Sequence, residues 1–209
     1  VTILVPRGAE AKAVRRARPA ARIVELPAGA ACAIALPHLD DRETVVAMGL
    51  CGSLRSLKTG DVGIYGRVVD AGRAFDLDPT LVDELTHVLP RAVVVDAFTA
   101  TRVVTTLAER TGLAQRFDAD VVDMEGTHLG AALSAGAVRF AMVRVVSDDA
   151  SRDLPPIGDA IDACGRIQPL PVALAFARAP LAALAFVRDV RAALGVLTET
   201  ARAISLAAV

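Results

Sequence analysis

The chain has 209 residues, 54% of them hydrophobic, and 23 basic side chains stand against 24 acidic ones. That length suits one domain with a substantial core, and the net charge of −1 offers no basic field for nucleic acid. Cys32, Cys51 and Cys164 form no CxxC or Cys/His pattern, so neither a disulfide framework nor a zinc site is supported, and no metal or organic cofactor is expected.

In chain order, Thr2–Val5 reads as a buried strand, and Pro6-Arg7-Gly8 turns the chain into a helix from Ala9 to about Arg18. This opening lacks a basic segment followed by an apolar one, which predicts a cytoplasmic protein. Ile23–Leu26 and Thr44–Met48 are apolar strands, and Gly49-Leu50-Cys51-Gly52 reads as a turn-rich loop. Asp61–Val69 and Ala92–Phe98 read as strands, and Pro79–Leu89, Thr101–Leu113 and Glu125–Ala135 carry helical patterns. Phe140–Val146 is a continuous β-branched run, as expected of a central strand covered on both faces. Leu170 to Val187 is almost entirely apolar, but Pro171, Arg178 and Pro180 interrupt it. That predicts a core helix pair broken at Pro180 rather than a membrane span; the alternative is a surface that touches membrane or a lipid-like ligand. Strands alternating with helices predict an α/β layer sandwich with a mixed, mainly parallel sheet.

In such folds ligands gather beyond the carboxyl ends of the strands. The residues so placed are Arg7, Gly8 and Glu10 after the first strand, Gly49 to Gly52 after the third, and Ser147 and Asp148 after the central run. Glu125 stands at a helix entrance. Each has a plainer use: Glu10 suits a helix dipole, Asp123 and Ser147 suit capping, and the glycines suit a tight turn. Together, two carboxylates at one end of a sheet could supply acid/base chemistry and a hydroxyl-binding site.

Four blocks in order carry a family resemblance. Val46-Ala-Met-Gly-Leu-Cys-Gly-Ser-Leu54 followed by Gly60-Asp61-Val62 is similar to the glycine loop and following strand of the nucleoside phosphorylase/nucleosidase superfamily. Thr99-Ala-Thr-Arg-Val-Val104 resembles its base-side segment, Asp123-Met-Glu-Gly126 its ribose motif, and Arg144-Val-Val-Ser-Asp148 its catalytic Ser-Asp motif. Val5-Pro-Arg-Gly-Ala-Glu10 and Leu154-Pro-Pro156 most resemble the hopanoid-associated branch. The resemblance implies a three-layer α/β/α sandwich forming a single domain over 1–209, with 165–209 a C-terminal helical segment. It also implies cleavage of the N-glycosidic bond of a purine nucleoside by a homo-oligomer.

By that resemblance Asp148 is the acid at purine N7, Ser147 orients it, and Asp149 is a neighbour that could share the role. Glu125 would grip the ribose hydroxyls with Met124 packed on the sugar, and Val103 and Val104 would line the base. Val103 stands where many relatives carry an aromatic, for which Phe98 or Phe140 are the nearest substitutes. Arg7, Gly8, Cys51 and Gly52 would hold the nucleophile, either water or a phosphate co-substrate. Ala47 and Leu50 replace the Arg and hydroxyl of phosphate-using relatives, and Glu10 matches the carboxylate that activates water, so hydrolysis is favoured. The branch implies adenosylhopane as substrate, with peripheral membrane contact. The alternatives are a methylthioadenosine/S-adenosylhomocysteine-type nucleosidase or other purine nucleoside phosphorylase, and a non-catalytic nucleoside- or lipid-binding protein.

Overall fold

Thr2–Pro6 forms β1, buried along its whole length as befits a strand with neighbours on both sides. A computed structural model describes residues 1–134, 136, 138–157 and 168–207; Cys164, Ala135 and the first residues of the expected C-terminal segment lie outside them. β1 pairs in parallel with β2 (Arg22–Leu26) and with β3 (Thr44–Ser53). β4 (Val62–Val69) carries β5 (Ala74–Asp76) antiparallel on one side and β6 (Val93–Thr99) parallel on the other. β7 (Val121–Asp123) runs parallel to β6 and antiparallel to the end of β3. β8 (Arg139–Asp148) pairs in parallel with β3 from Thr44 to Gly52 and antiparallel with β4. The eight-stranded sheet is thus mixed and mainly parallel, and β3, β8, β4, β6 and β7 close on one another.

Helices α1 (Ala9–Arg16), α3 (Pro79–Val88) and α7 (Pro180–Leu206) cover one face, and α2 (Ala31–Ile34) and α5 (Gly126–Leu133) lie on the other. The result is a three-layer α/β/α sandwich. The helix α3 shows how locally its start is specified: the Asp78 carboxylate accepts from the Leu81 amide at 2.8 Å, and Pro79 opens the first turn. Along α7, Ala183, Ala193, Leu197, Ala201 and Ile204 face inward, and small alanines let the helix lie close to β8 and α1. Thr198 Oγ1 ties it to the Ala13 carbonyl at 3.0 Å.

Two differences from the sequence reading and one agreement matter for the site. Gly49-Leu50-Cys51-Gly52 is not a turn but the last half of β3, and neither glycine has a positive φ. The glycines serve close approach instead. The helix expected over Thr101–Leu113 begins later, as α4 (Leu107–Phe117), because the Thr106 hydroxyl caps it by accepting from the Glu109 amide. Val103 and Val104 therefore lie in a loop. Finally, the apolar run around Pro180 forms α6 (Pro169–Arg178) and the start of α7, and among the described residues no helix is long and apolar enough to cross a membrane.

Candidate active site

Arg144 organises one half of the site. It sits mid-way along β8, 1% exposed, with buried apolar residues on either side of it in the strand. Its Nη2 donates to Glu125 Oε2 at 3.2 Å and lies 3.8 Å from Asp123 Oδ2. Its Nε and Nη1 have no partner among the described residues. A Cβ on Gly49 would sit 2.1 Å from Nη1 and 2.7 Å from Glu10 Oε1, so the bare glycine lets a guanidinium and a carboxylate reach the same point.

Each carboxylate around Arg144 has its own support. Glu10, in the first turn of α1, accepts from the Leu50 amide at 2.8 Å. Burial raises its pKa to about 7, with Glu125 adding to the rise while Arg144 and the Leu50 N–H oppose it. Asp123 Oδ1 accepts from the Gly126 amide and from Thr99 Oγ1, each at 3.1 Å. Burial first, then Glu125, push its pKa upward against Arg144. Because Asp123 serves the amide at the start of α5, Glu125 makes no cap bond there and lines a small cavity with Arg144. Glu125 Oε1 accepts from the Gly29 amide at 2.8 Å, and Gly29 adopts φ +66°, a conformation that favours glycine. Although burial disfavours its charge, Arg144 is held ionised by Glu125, Asp123 and Glu10.

The other half is built round Asp148, at the end of β8. A register slip between Cys51 and Gly52 sets Gly52 opposite Asp148, and a Cβ on Gly52 would lie 2.8 Å from Asp148 Oδ2. Arg110 of α4, also 1% exposed, donates from Nη2 to that Oδ2 at 2.5 Å. Ser147 Oγ lies 2.5 Å from Asp148 Oδ1 and 3.2 Å from the Cys51 carbonyl. Asp149 is turned away and held by Ser151, so the geometry separates the two neighbouring aspartates.

The remaining sequence candidates are less closely gathered. Arg7 is exposed, its backbone amide bound to the Leu26 carbonyl at 2.9 Å, and Gly8 supplies the φ of +100° that starts α1. Cys51 and Gly52 are strand residues, which corrects the expected nucleophile loop; the amide that reaches a candidate catalytic group is that of Leu50. Burial raises the Cys51 thiol well above its usual range. Met124 is half-buried beside Gly29. Val104 is buried and its carbonyl accepts from Arg110 at 3.2 Å, while Val103, like Val172, Phe176 and Phe186, packs against the cluster of Ile157 and Ala175. Neither suggested aromatic is free to replace a stacking ring: Phe98 stacks on Phe117 at 4.4 Å, and Phe140 is in the main core. His128 is half-buried and lines a separate cavity with Asp70, Arg73 and Thr127.

Sequence reasoning gave no role to Arg144 or Arg110. The signal for Arg144 was present, since a lone arginine inside a continuous apolar strand must be paired if buried. Arg110 carries no such signal in a helix with another arginine and an acidic residue.

A model of the phosphorylase superfamily matches residues 23–164. Among solved structures, the fold is similar to futalosine hydrolase of Helicobacter pylori (TM-score 0.68, 12% identity, 97% of this chain and 95% of that one). It is similar to the 5′-methylthioadenosine/S-adenosylhomocysteine nucleosidase of Campylobacter jejuni (0.67, 11%, 99% and 97%), and to the corresponding nucleosidase of Streptococcus pneumoniae (0.60, 15%, 94% and 98%). No match was found among curated protein sequences.

Proposed function

The chain belongs to the phosphorylase superfamily, and from that premise we propose that it hydrolyses the N-glycosidic bond of a small purine nucleoside. The observation that carries this reading is the charge around Arg144. Glu125, Asp123 and Glu10 surround that one guanidinium, so its charge is already matched and a phosphate dianion would enter a negative site. The same excess of carboxylate stabilises the cationic ribosyl ring that forms as the bond breaks. Glu10, with its pKa of about 7, is suited to take a proton from water near neutral pH, and Arg144 Nη1 and Glu10 Oε1 converge at Gly49 as donor and acceptor for that water.

The steps follow from these positions. Glu125 accepts hydrogen bonds from the ribose hydroxyls, with Met124 beside the sugar. As the C1′–N9 bond breaks, its electrons pass to the purine and Asp148 delivers a proton to N7. Water adds to C1′ and gives its proton to Glu10. Ser147, Val103 and Val104 border the base. Methylthioadenosine and S-adenosylhomocysteine are the first substrates to offer, because structures of this fold named as nucleosidases for them span nearly the whole chain.

A second reading, adenosylhopane, draws on one observation: Leu170, Leu174, Leu181 and Leu184 are exposed about the α6–α7 turn, next to the cluster that contains Val103. Such a surface suits an apolar 5′ substituent or a membrane. One assay separates all these alternatives. Adenine release is measured from methylthioadenosine and from adenosylhopane, with and without phosphate, and the sugar product is identified. The free sugar, formed at a rate indifferent to phosphate, is expected from methylthioadenosine. A sugar 1-phosphate would overturn hydrolysis, release from adenosylhopane alone would overturn the small substrate, and no release from either would overturn both substrate readings.

A further inference from the structure

We infer that Arg110 is a positioning residue that divides the work of the two Asp148 oxygens, an inference that rests on the hydrolase reading above. Arg110 reaches Asp148 from α4, an element that carries none of the sequence candidates. Its Nη2 holds Oδ2 at 2.5 Å, and its Nη1 donates to the carbonyls of Ser53 at 3.3 Å and Asp149 at 3.0 Å. A guanidinium has only donors. While it is paired, Oδ2 carries no proton, and the proton destined for the purine sits on Oδ1.

Ser147 makes that assignment workable. Its single hydroxyl proton has two acceptors within reach, Asp148 Oδ1 and the Cys51 carbonyl. With Oδ1 protonated, its O–H is turned to purine N7 and Ser147 donates to the Cys51 carbonyl. With Oδ1 ionised, the hydroxyl turns and donates to Oδ1. The proton leaves by breaking Oδ1–H and forming N7–H, while the electrons of the C1′–N9 bond pass to the purine. The negative charge left on Asp148 is met by a donor at each oxygen, neither of which has to be recruited from solvent. Such preorganised donors aimed at developing charge are among the largest contributions to catalysis. A charge-assisted pair is also stronger than a neutral one, so Arg110 acts most strongly after the proton has gone.

A merely structural Arg110 would bind the same carbonyls, and the leaving group tells the two apart. Purine departure needs the proton, whereas 4-nitrophenolate leaves as an anion. Arg110→Met is expected to lower kcat for methylthioadenosine by about 10²-fold, within the range of general-acid effects, with KM little changed. Hydrolysis of 4-nitrophenyl β-ribofuranoside by the same variant is expected to stay within about threefold of the parent, and Arg110→Lys to recover part of the loss, because a lysine supplies the charge without the fork. In an Asp148→Asn background, where there is no developing charge to meet, Arg110→Met is expected to add almost nothing. That double variant and Arg110→Lys keep the test available if Arg110→Met alone unfolds. Parallel losses on both substrates, or additive losses in the double variant, would overturn the inference. A parent that releases no adenine overturns the hydrolase reading and this inference together; an active parent indifferent to Arg110 overturns this inference alone.

Discussion

Two arginines, each 1% exposed, stand at the two ends of the candidate site in opposite company. Arg144 has three carboxylates around it, Glu10, Asp123 and Glu125. Among the described residues Arg110 has one, Asp148, and otherwise binds backbone carbonyls. At the sugar end the balance leaves negative charge over, which favours a cation and discourages an incoming anion. At the base end the pair is even, and its donors wait for charge that appears only when the bond breaks. The same residue type does opposite electrostatic work because of what surrounds it.

The strongest way to break that comparison is Arg144→Met. It leaves Glu125 and Asp123 buried without a counter-charge, and removing one partner from a buried ion pair costs about 3–5 kcal/mol. For a chain of this size each kcal/mol lowers Tm by roughly 2–4 °C. A thermal melt at pH 8 should therefore show a drop of at least about 6 °C, together with loss of purine release. The deficit should narrow at pH 5, as Asp123, whose pKa burial raises to about 6, takes up a proton and needs the arginine less. A Tm within about 2 °C of the parent at pH 8 would mean that Arg144 does not balance this cluster.

Much of the fold was legible because it rests on local patterns. The β-branched run before Ser147 is β8, and Pro180 divides the apolar C-terminal stretch between α6 and α7. The short elements β5, β7 and α2 have too few residues to show a period. The candidate site was legible where carboxylates follow strands: Glu10, Glu125 and Asp148 do converge on the β3–β8 end of the sheet. What the sequence hid is long-range. Gly49 and Gly52 look like turn formers, yet they are strand positions kept bare for Arg144, Glu10 and Asp148, residues up to 96 positions away. Arg110 meets Asp148 across 38 positions, through tertiary geometry that no window of sequence contains.

A smaller and pH-dependent effect sharpens the sugar end. Glu10 has its pKa raised from 4.5 to about 7, so the folded chain binds a proton there more tightly than the unfolded chain does. Its contribution to stability is therefore full below about pH 4.5 and is lost as pH rises through about 7. As the base it must be ionised, so kcat should rise with pH along a limb centred near 7. Glu10→Gln is expected to remove that limb and most of the hydrolysis, while raising Tm relative to the parent at pH 8 and not at pH 4.5. A variant that keeps the same limb in its pH–rate profile would transfer the base role to another group.

The two glycines give the least disruptive comparison, because each tests one end with a single methyl group. At Gly49 the methyl would lie 2.1 Å from Arg144 Nη1 and 2.7 Å from Glu10 Oε1; at Gly52 its nearest atoms are Asp148 Oδ2 at 2.8 Å and Val122 Cγ1 at 3.2 Å. Overpacking of this kind costs roughly 1–3 kcal/mol, and Gly49→Ala should fall at the upper end because its neighbour is a buried guanidinium fixed by two carboxylates. Gly52→Ala should fall at the lower end, since a small rotation of Asp148 relieves the contact. That rotation draws Oδ2 away from Arg110, so Gly52→Ala should lose activity on purine nucleosides out of proportion to its modest loss of stability in urea. Gly49→Ala should lose stability first. If urea midpoints and purine release fall in the same ratio for both variants, the two ends of the site are not electrostatically distinct, and the division of labour between Arg144 and Arg110 fails with them.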